Sequence, residues 1–357
     1  MSWIPDLEAW LVTSHAMCTE VMLDADTFTV DDPRFSTQQV IGPSMLSLDG
    51  ADHRRHRDPF STPFRGAAIA ELRNEILDKS RRLIAEVAAE GGGDLRSRVA
   101  APLAVGVMAG VLDLDEVPVS DVLGWYEDIV DAVHVVTAGG TVPESGLDAY
   151  ESLKTAVAAN LSSSRLLGPV DDGGSLDVDE IVSNVAVLLF GGIVTSESST
   201  AIAFHYLLAD PQAQDALRAD GSLARAFVEE TFRIEPSAAA VDRYATRDVR
   251  LAGAEIAKGD LVRVSLSAAN RDPAVFPDPD RLDWARDNLG RSLTFARGPH
   301  ACLGIHLARM ETTAAVEALL GEPGPLNSSG LDPIGGLVFR VPATVEVTWP
   351  GSTPSRN

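Results

Sequence analysis

Apolar positions recur mostly at three- and four-residue steps, so the chain reads as mainly helical. Between residues 66 and 90, Ile69, Leu72, Ile76, Leu83 and Val87 form one such stripe, stopped by Gly91-Gly92-Gly93. Residues 119–137 and 146–167 predict two further helices, each bounded by proline or glycine. The longest pattern, 177–209, makes about nine turns. It is apolar on all sides around 185–194, as expected of a helix crossing the interior. Another helical run spans 302–320. Strand patterns are short: 9–13, 249–251, 254–256, 261–265 and 344–348. The Pro/Asp-rich stretch 271–286 has no period, but Phe276, Leu282 and Trp284 anchor it as ordered coil. Neither an internal repeat nor a low-complexity linker divides the chain, so residues 1–357 read as a single domain.

Charge narrows the function classes. The net charge of −23 argues against nucleic acid and anionic membrane surfaces as partners. The first ten residues carry Asp6 and Glu8, and no export signal starts there. The apolar stretches 99–112, broken by Pro102, and 185–194 are shorter than the ~18 residues of a spanning helix. A soluble cytoplasmic protein is expected. Of the cysteines, only Cys18 and Cys302 occur, so a Cys-x-x-Cys zinc ribbon and a disulfide scaffold are excluded.

Cys302 sits in Phe295-Ala-Arg-Gly-Pro-His-Ala-Cys-Leu-Gly304, bracketed by glycines at the start of a helical run. A helix N-terminus stabilises a thiolate through its dipole and free N–H groups. Such a sulfur suits a soft metal ligand or a nucleophile. His300, Cys302 and His306 would supply three zinc ligands, but the spacing suggests no fourth. Cys18, inside a short helix pattern, reads as core.

Phe295-x-x-Gly298-x-His300-x-Cys302-Leu303-Gly304 resembles the heme-binding signature of the cytochrome P450 superfamily. Further motifs follow in family order from Trp10 to Trp349. Glu230-Thr-Phe-Arg233 is similar to the Glu-x-x-Arg pair, 270–281 to the coil that follows it, and Arg281 to the third member of a Glu-Arg-Arg cluster. His53-x-x-x-Arg57 and Arg243 look like propionate contacts. The resemblance implies a mainly α (α+β) helical prism with small β-sheets, and a heme buried next to the long central helix. It implies heme b (iron protoporphyrin IX), with Cys302 as the metal ligand and His53, Arg57, Arg243, His300, Phe295 and Gly304 as cofactor-binding residues. Glu230, Arg233 and Arg281 are implied to be structural. The anionic sulfur then favours O–O cleavage.

Gly191-Gly192-Ile193-Val194-Thr195 resembles the oxygen-activating segment, which implies catalytic roles for Gly191, Gly192 and Thr195. The family's acid before that threonine is here Val194, and Glu197 points roughly 200° away without a helical bulge. By position, Val40, Phe190, Val194, Ala238, Ala239, Val241 and Leu337 line the substrate pocket, which suggests a nonpolar or aromatic substrate. The implied function is a monooxygenase fed by a ferredoxin and an NAD(P)H-dependent reductase. The basic run 53–57, with Arg297 and Arg309, would present the docking face. Val194 keeps an atypical enzyme open: peroxide-driven oxidation, oxidative coupling or reductive chemistry. A noncatalytic heme sensor is a further alternative, disfavoured by Thr195.

Overall fold

The computed structural model of the protein describes residues 1–114, 117–137, 140–160 and 175–349. The helices in chain order are α1 (His15–Leu23), α2 (Ser36–Ile41), α3 (Gly50–Arg57), α4 (Gly66–Glu71), α5 (Arg73–Ala89), α6 (Ala101–Val111), α7 (Val119–Thr137), α8 (Glu144–Asn160), α9 (Val178–Ala209), α10 (Pro211–Ala219), α11 (Ala224–Ile234), α12 (Leu266–Ala269) and α13 (Ile305–Gly321). The strands are β1 (Ser2–Ile4), β2 (Ala9–Val12), β3 (Phe28–Thr29), β4 (Gly92–Asp94), β5 (Ala240–Ala245), β6 (Val249–Leu251), β7 (Ala254–Ile256), β8 (Leu261–Ser265), β9 (Asn327–Leu331), β10 (Ile334–Gly335), β11 (Val341–Pro342) and β12 (Val345–Thr348).

The central helix α9 starts at a capping box. Asp177 accepts from the Glu180 N–H, and the Glu180 side chain accepts from the Asp177 N–H. Helices α6, α8, α11 and α13 pack around it. It is long and apolar enough to span a membrane, yet 56% of its most apolar window is buried inside the protein. Its all-round apolarity therefore reflects a position in the core.

The helical stripe expected over 66–90 is two helices. The chain turns at Leu72, whose N–H reaches back only three residues to the Ile69 carbonyl. The helix expected over 146–167 begins at Glu144, and residues 161–167 lie outside the described residues.

The largest sheet runs β1-β2-β8-β5-β3. Strand β2 pairs in parallel with β8 from the other end of the chain, placing Val12 beside Val264. Strand β5 escaped the hydrophobic pattern because it carries Asp242. In the ladder Asp242 lies opposite Arg263, and their side chains pair at 2.7 Å. The buried apolar residues form a large cluster among the helices and a smaller one over this sheet. Cys18 belongs to the second. It is fully buried with its thiol directed at the Val12 carbonyl, and burial pushes its pKa up to about 12. An inert core thiol is what the sequence led us to expect there.

Candidate functional site

The Cys302 loop is held from both ends. The Cys302 N–H donates to the Phe295 carbonyl at 2.9 Å, closing the loop on itself. Gly298 has φ +77°, and a Cβ there would lie 2.4 Å from the Met22 carbonyl oxygen, so only glycine fits. Phe295 stacks edge-on against Phe232 of α11 and lies under the Arg309 guanidinium. Helix α13 begins only at Ile305, three residues after the cysteine. The Gly304 N–H still faces the sulfur, and a Cβ on Gly304 would make an ordinary 4.0 Å contact with it.

The Cys302 side chain has open space in front of it, although protein surrounds it. The sulfur is thus accessible while its thiol pKa is raised by the protein around it. Burial is the largest influence, opposed by the Gly304 N–H and by Arg57 and Arg309. A cleft of about 500 Å³, lined by Phe295, Arg297, Cys302, Ile305 and Arg309 among others, opens beside the loop.

The four predicted basic residues gather near this loop. Arg57 donates to the Ala301 carbonyl at 2.6 Å. His53 and His300 stack with ring centroids 4.4 Å apart. His53 is buried, its Nε2 finds no hydrogen-bonding group among the described residues, and burial with the nearby His300 and Arg57 pushes its pKa down to about 4. Arg243 is also buried, with one guanidinium nitrogen on the Asp242 carbonyl. Two arginines and two histidines around the loop, with His53 Nε2 free and Arg243 buried, beside a sulfur facing open space, fit the acid groups and iron of a heme.

Sequence reasoning missed Asp49. Its Oδ1 lies 2.7 Å from His300 Nε2, and its Oδ2 accepts from the Thr29 hydroxyl at 2.5 Å and the Val30 N–H at 2.9 Å. Burial works to raise the Asp49 pKa, but these hydrogen bonds outweigh it and hold the carboxyl at about 2. The contribution of Asp49 to stability is therefore complete above its ordinary value of 3.8 and is lost as pH falls toward 2. Asp49→Asn is expected to free His300, lower the melting temperature and speed heme transfer to an acceptor globin. Unchanged transfer and melting would contradict this positioning role. Asp49 precedes His53 by one helical turn, which is the only signal the sequence held.

On α9 the two glycines do different things. Gly191 is exposed in mid-helix, and a Cβ there would meet nothing within 4 Å, so it borders open space. A Cβ on Gly192 would lie 2.4 Å from the Met108 sulfur, so Gly192 serves close packing against α6. The Thr195 hydroxyl donates to the Gly191 carbonyl. The helix is continuous here without a bulge. Glu197 is ion-paired with Arg96 at 2.7 Å, and Arg96 also holds the Pro342 and Ala343 carbonyls. Glu197 is thus committed away from Thr195.

The pocket expectation changes in part. Phe190 and Val194 are half-buried, and Phe339 packs edge-on against Phe190 while bridging to Ala238. Ala239 is buried at the same turn. Leu337 is 89% exposed and lines no interior space, because its hairpin puts Phe339 inward instead. Val40 is buried within the helical core, and Val241 packs on the sheet cluster.

The Glu-Arg-Arg cluster is present with a different third member. Glu230 and Arg233 are fully buried and doubly hydrogen-bonded at 2.7 and 2.8 Å. The second arginine is Arg286, 3.0 Å from Glu230. Arg281 is 70% exposed at its side chain and supplies only its carbonyl, to Arg233 and Arg286. The coil between them turns back on itself, so the arginine five residues later reaches the acid. Arg233 also donates to the Asn270 carbonyl at 2.8 Å, and the Asn270 side chain holds the Leu293 N–H and the Thr294 hydroxyl. The cluster thereby braces the segment leading into Phe295.

The basic docking face is smaller than the run 53–57 suggested. Arg55 pairs with Glu180, His56 is buried against Asn184, and Arg309 pairs with Glu229. Arg54 is exposed, and Arg297 is tied to the Gly290 and Ser292 carbonyls. No group of three or more His, Cys, Asp or Glu suited to a metal ion occurs among the described residues.

Comparison with known proteins agrees with this geometry. The family model described as Cytochrome P450 matches residues 150–322. The 6-deoxyerythronolide B hydroxylase of Saccharopolyspora erythraea is 30% identical, over 91% of this chain and 85% of that protein. The vitamin D(3) 25-hydroxylase of Pseudonocardia autotrophica is 31% identical, over 94% and 85%. The hydroxylase HmtN of himastatin biosynthesis superposes with a TM-score of 0.85 at 28% identity, covering 97% of this chain and 92% of that one. P450BioI, solved with an acyl carrier protein bearing a fatty acid, gives 0.83 at 26% identity, covering 96% and 92%. Matched in sequence over most of its length and in fold throughout, the chain belongs to the cytochrome P450 superfamily and is a heme-dependent monooxygenase.

Proposed function

We propose that residues 1–357 form one heme b domain, cytoplasmic, that hydroxylates a small to medium, largely nonpolar or aromatic substrate. Its electrons come singly from a ferredoxin and an NAD(P)H-dependent reductase. The observation that carries this reading is the convergence of an accessible Cys302 sulfur with His53, Arg57, Arg243 and His300.

Cys302 would hold the heme iron through its thiolate, and Arg57 with the Gly304 N–H favours the anionic form against burial. His53, Arg57, Arg243 and His300 take the two propionates, which would fill the free Nε2 of His53. Heme supplies dioxygen activation, helped by electron density from the thiolate. Gly191 would leave room for dioxygen beside α9, and Thr195 Oγ1 holds a proton there that it now shares with the Gly191 carbonyl. Phe190, Val194, Ala238 and Phe339 form an apolar wall that excludes water and suits an apolar substrate. Arg54 and Arg297 are the basic groups left for an acidic ferredoxin.

A second reading, peroxide-driven oxidation, oxidative coupling or reductive chemistry, is favoured by one observation: Val194 replaces an acid, and Glu197 is bound to Arg96. The test is a small-molecule panel screened for a substrate-induced spin shift, then for product with NAD(P)H and partners or with peroxide alone. The expected result is coupled turnover with NAD(P)H plus measurable peroxide-supported product. Product with peroxide only would favour the second reading. Spin shifts with no product under either condition would indicate a sensor.

A further inference from the structure

The apolar wall is built partly from a helix and partly from a hairpin. Phe190 belongs to α9, whereas Phe339 lies in the connection between β10 and β11 and meets it edge-on, with ring centroids 5.6 Å apart. The hairpin has little of its own to hold it. Its ladder has two residue pairs, Ile334 with Pro342 and Gly335 with Val341, and Pro342 has no N–H to donate. Gly335, Gly336, Leu337 and Val338 are all exposed. A segment with so few buried contacts opens readily unless something else closes it.

Arg340 supplies that closure. Its guanidinium donates to the Gly336 carbonyl at 2.9 Å and to the Ile334 carbonyl at 3.1 Å, across the base of the hairpin. Its Nε donates to Glu235, and its backbone N–H donates to the Ser237 carbonyl at 2.8 Å. The planar fork of an arginine serves three acceptors at once. The side that receives these bonds is fixed. The Glu235 N–H caps α11 on the Thr231 carbonyl, and the buried Ser237 hydroxyl meets that of Ser199 on α9 at 3.1 Å. Glu235 is itself buried and has a second partner, Arg271 at 3.3 Å, which lies outside the hairpin. Between these ties the Val338 carbonyl accepts from the Ala239 N–H at 2.7 Å, and Phe339 bridges to Ala238.

We propose that Arg340, clasped to Glu235, is a positioning residue that sets the bulk of the substrate this protein admits. It acts through Phe339. With the clasp closed, that ring stands against Phe190 and narrows the pocket; with the clasp open, the exposed tip carries the ring away. The pair therefore selects slim apolar substrates over bulky ones. The proposal rests on the reading that Phe190, Val194, Ala238 and Phe339 border a substrate bound over heme.

Arg340→Met keeps the length of the side chain and removes its donors. Holoprotein is titrated with two azoles that bind heme iron and differ in bulk, 4-phenylimidazole and the triaryl azole clotrimazole, and the Soret shift gives both dissociation constants. Their ratio is expected to move toward clotrimazole on the order of tenfold in Arg340→Met, the scale on which small changes in an apolar pocket discriminate. Arg271→Met takes a guanidinium from the same Glu235 without touching the hairpin. Both variants are expected to lower the melting temperature, whereas only Arg340→Met shifts the azole ratio and speeds amide hydrogen exchange over 334–342. Gly336→Ala disturbs the hairpin from its tip, because Gly336 has φ +111° and a Cβ there would overlap the Phe339 carbonyl oxygen. It is expected to shift the ratio the same way, and it carries the test if Arg340→Met yields no holoprotein. A wild-type ratio in Arg340→Met or Gly336→Ala, or an equal shift in Arg271→Met, would overturn the positioning role while leaving the azole spectra of the wild type intact. A wild type whose heme iron neither azole reaches would overturn the reading of the wall, and the positioning role with it.

Discussion

Replacing Cys302 with histidine is expected to abolish the red-shifted Soret band of the reduced, carbon monoxide-bound protein and, with it, monooxygenation. The effect is large because one atom does the work: no other described Cys, His, Asp or Glu cluster is placed to bind a metal, and the only other cysteine is sealed in the sheet core. A neutral imidazole does not supply the electron density that favours O–O cleavage. The loop itself should survive, since its closing hydrogen bond uses the Cys302 backbone N–H and the Phe295 carbonyl. Heme is therefore expected to remain bound in Cys302→His, with a histidine-type spectrum. A thiolate-type band persisting in that variant would refute the assignment.

Glu230→Ala is expected to cost about 3–5 kcal/mol, the range for removing one partner of a buried ion pair. Two guanidinium groups share this carboxylate, and Arg233 is completely buried. Without Glu230, Arg233 keeps carbonyl acceptors but no counter-charge. Loss of much of a typical domain's stability should leave little soluble holoprotein. The arginines separate the observed cluster from the one expected by motif. Arg286→Ala should destabilise strongly, whereas Arg281→Ala, at a 70% exposed side chain, should stay near neutral. Calorimetry of the three variants checks this. Equal losses at Arg281 and Arg286 would contradict the geometry.

Much of the architecture was legible because its signals are local. The α7 bounds and strands β6, β7 and β8 follow directly from apolar periodicity and turn residues. The Cys302 loop was readable because Gly298 and Cys302 each have a backbone or chemical requirement that one residue type meets. Val194 was likewise visible as a missing acid without any structure.

Other features depend on which segments meet, and periodicity does not encode that. Strand β5 looked polar until Arg263 was placed opposite Asp242. Arg281 and Arg286 are both arginines in one aperiodic coil, and only the path of that coil decides which one reaches Glu230. Gly191 and Gly192 are adjacent and identical, but 100° of helix rotation puts one toward open space and the other against Met108. Asp49, 251 residues from His300 in sequence, becomes its partner only when α3 is folded beside the Cys302 loop. Glu311 reads as an ordinary helical glutamate until α13 packs into the core and removes its water. The sequence by itself determined the helical scaffold and the thiolate motif, because each rests on residue type and local spacing, whereas the missing acid was legible only through the resemblance to the family. Tertiary structure decided which charges are paired and which are left buried alone, because pairing and desolvation are set by distance in space.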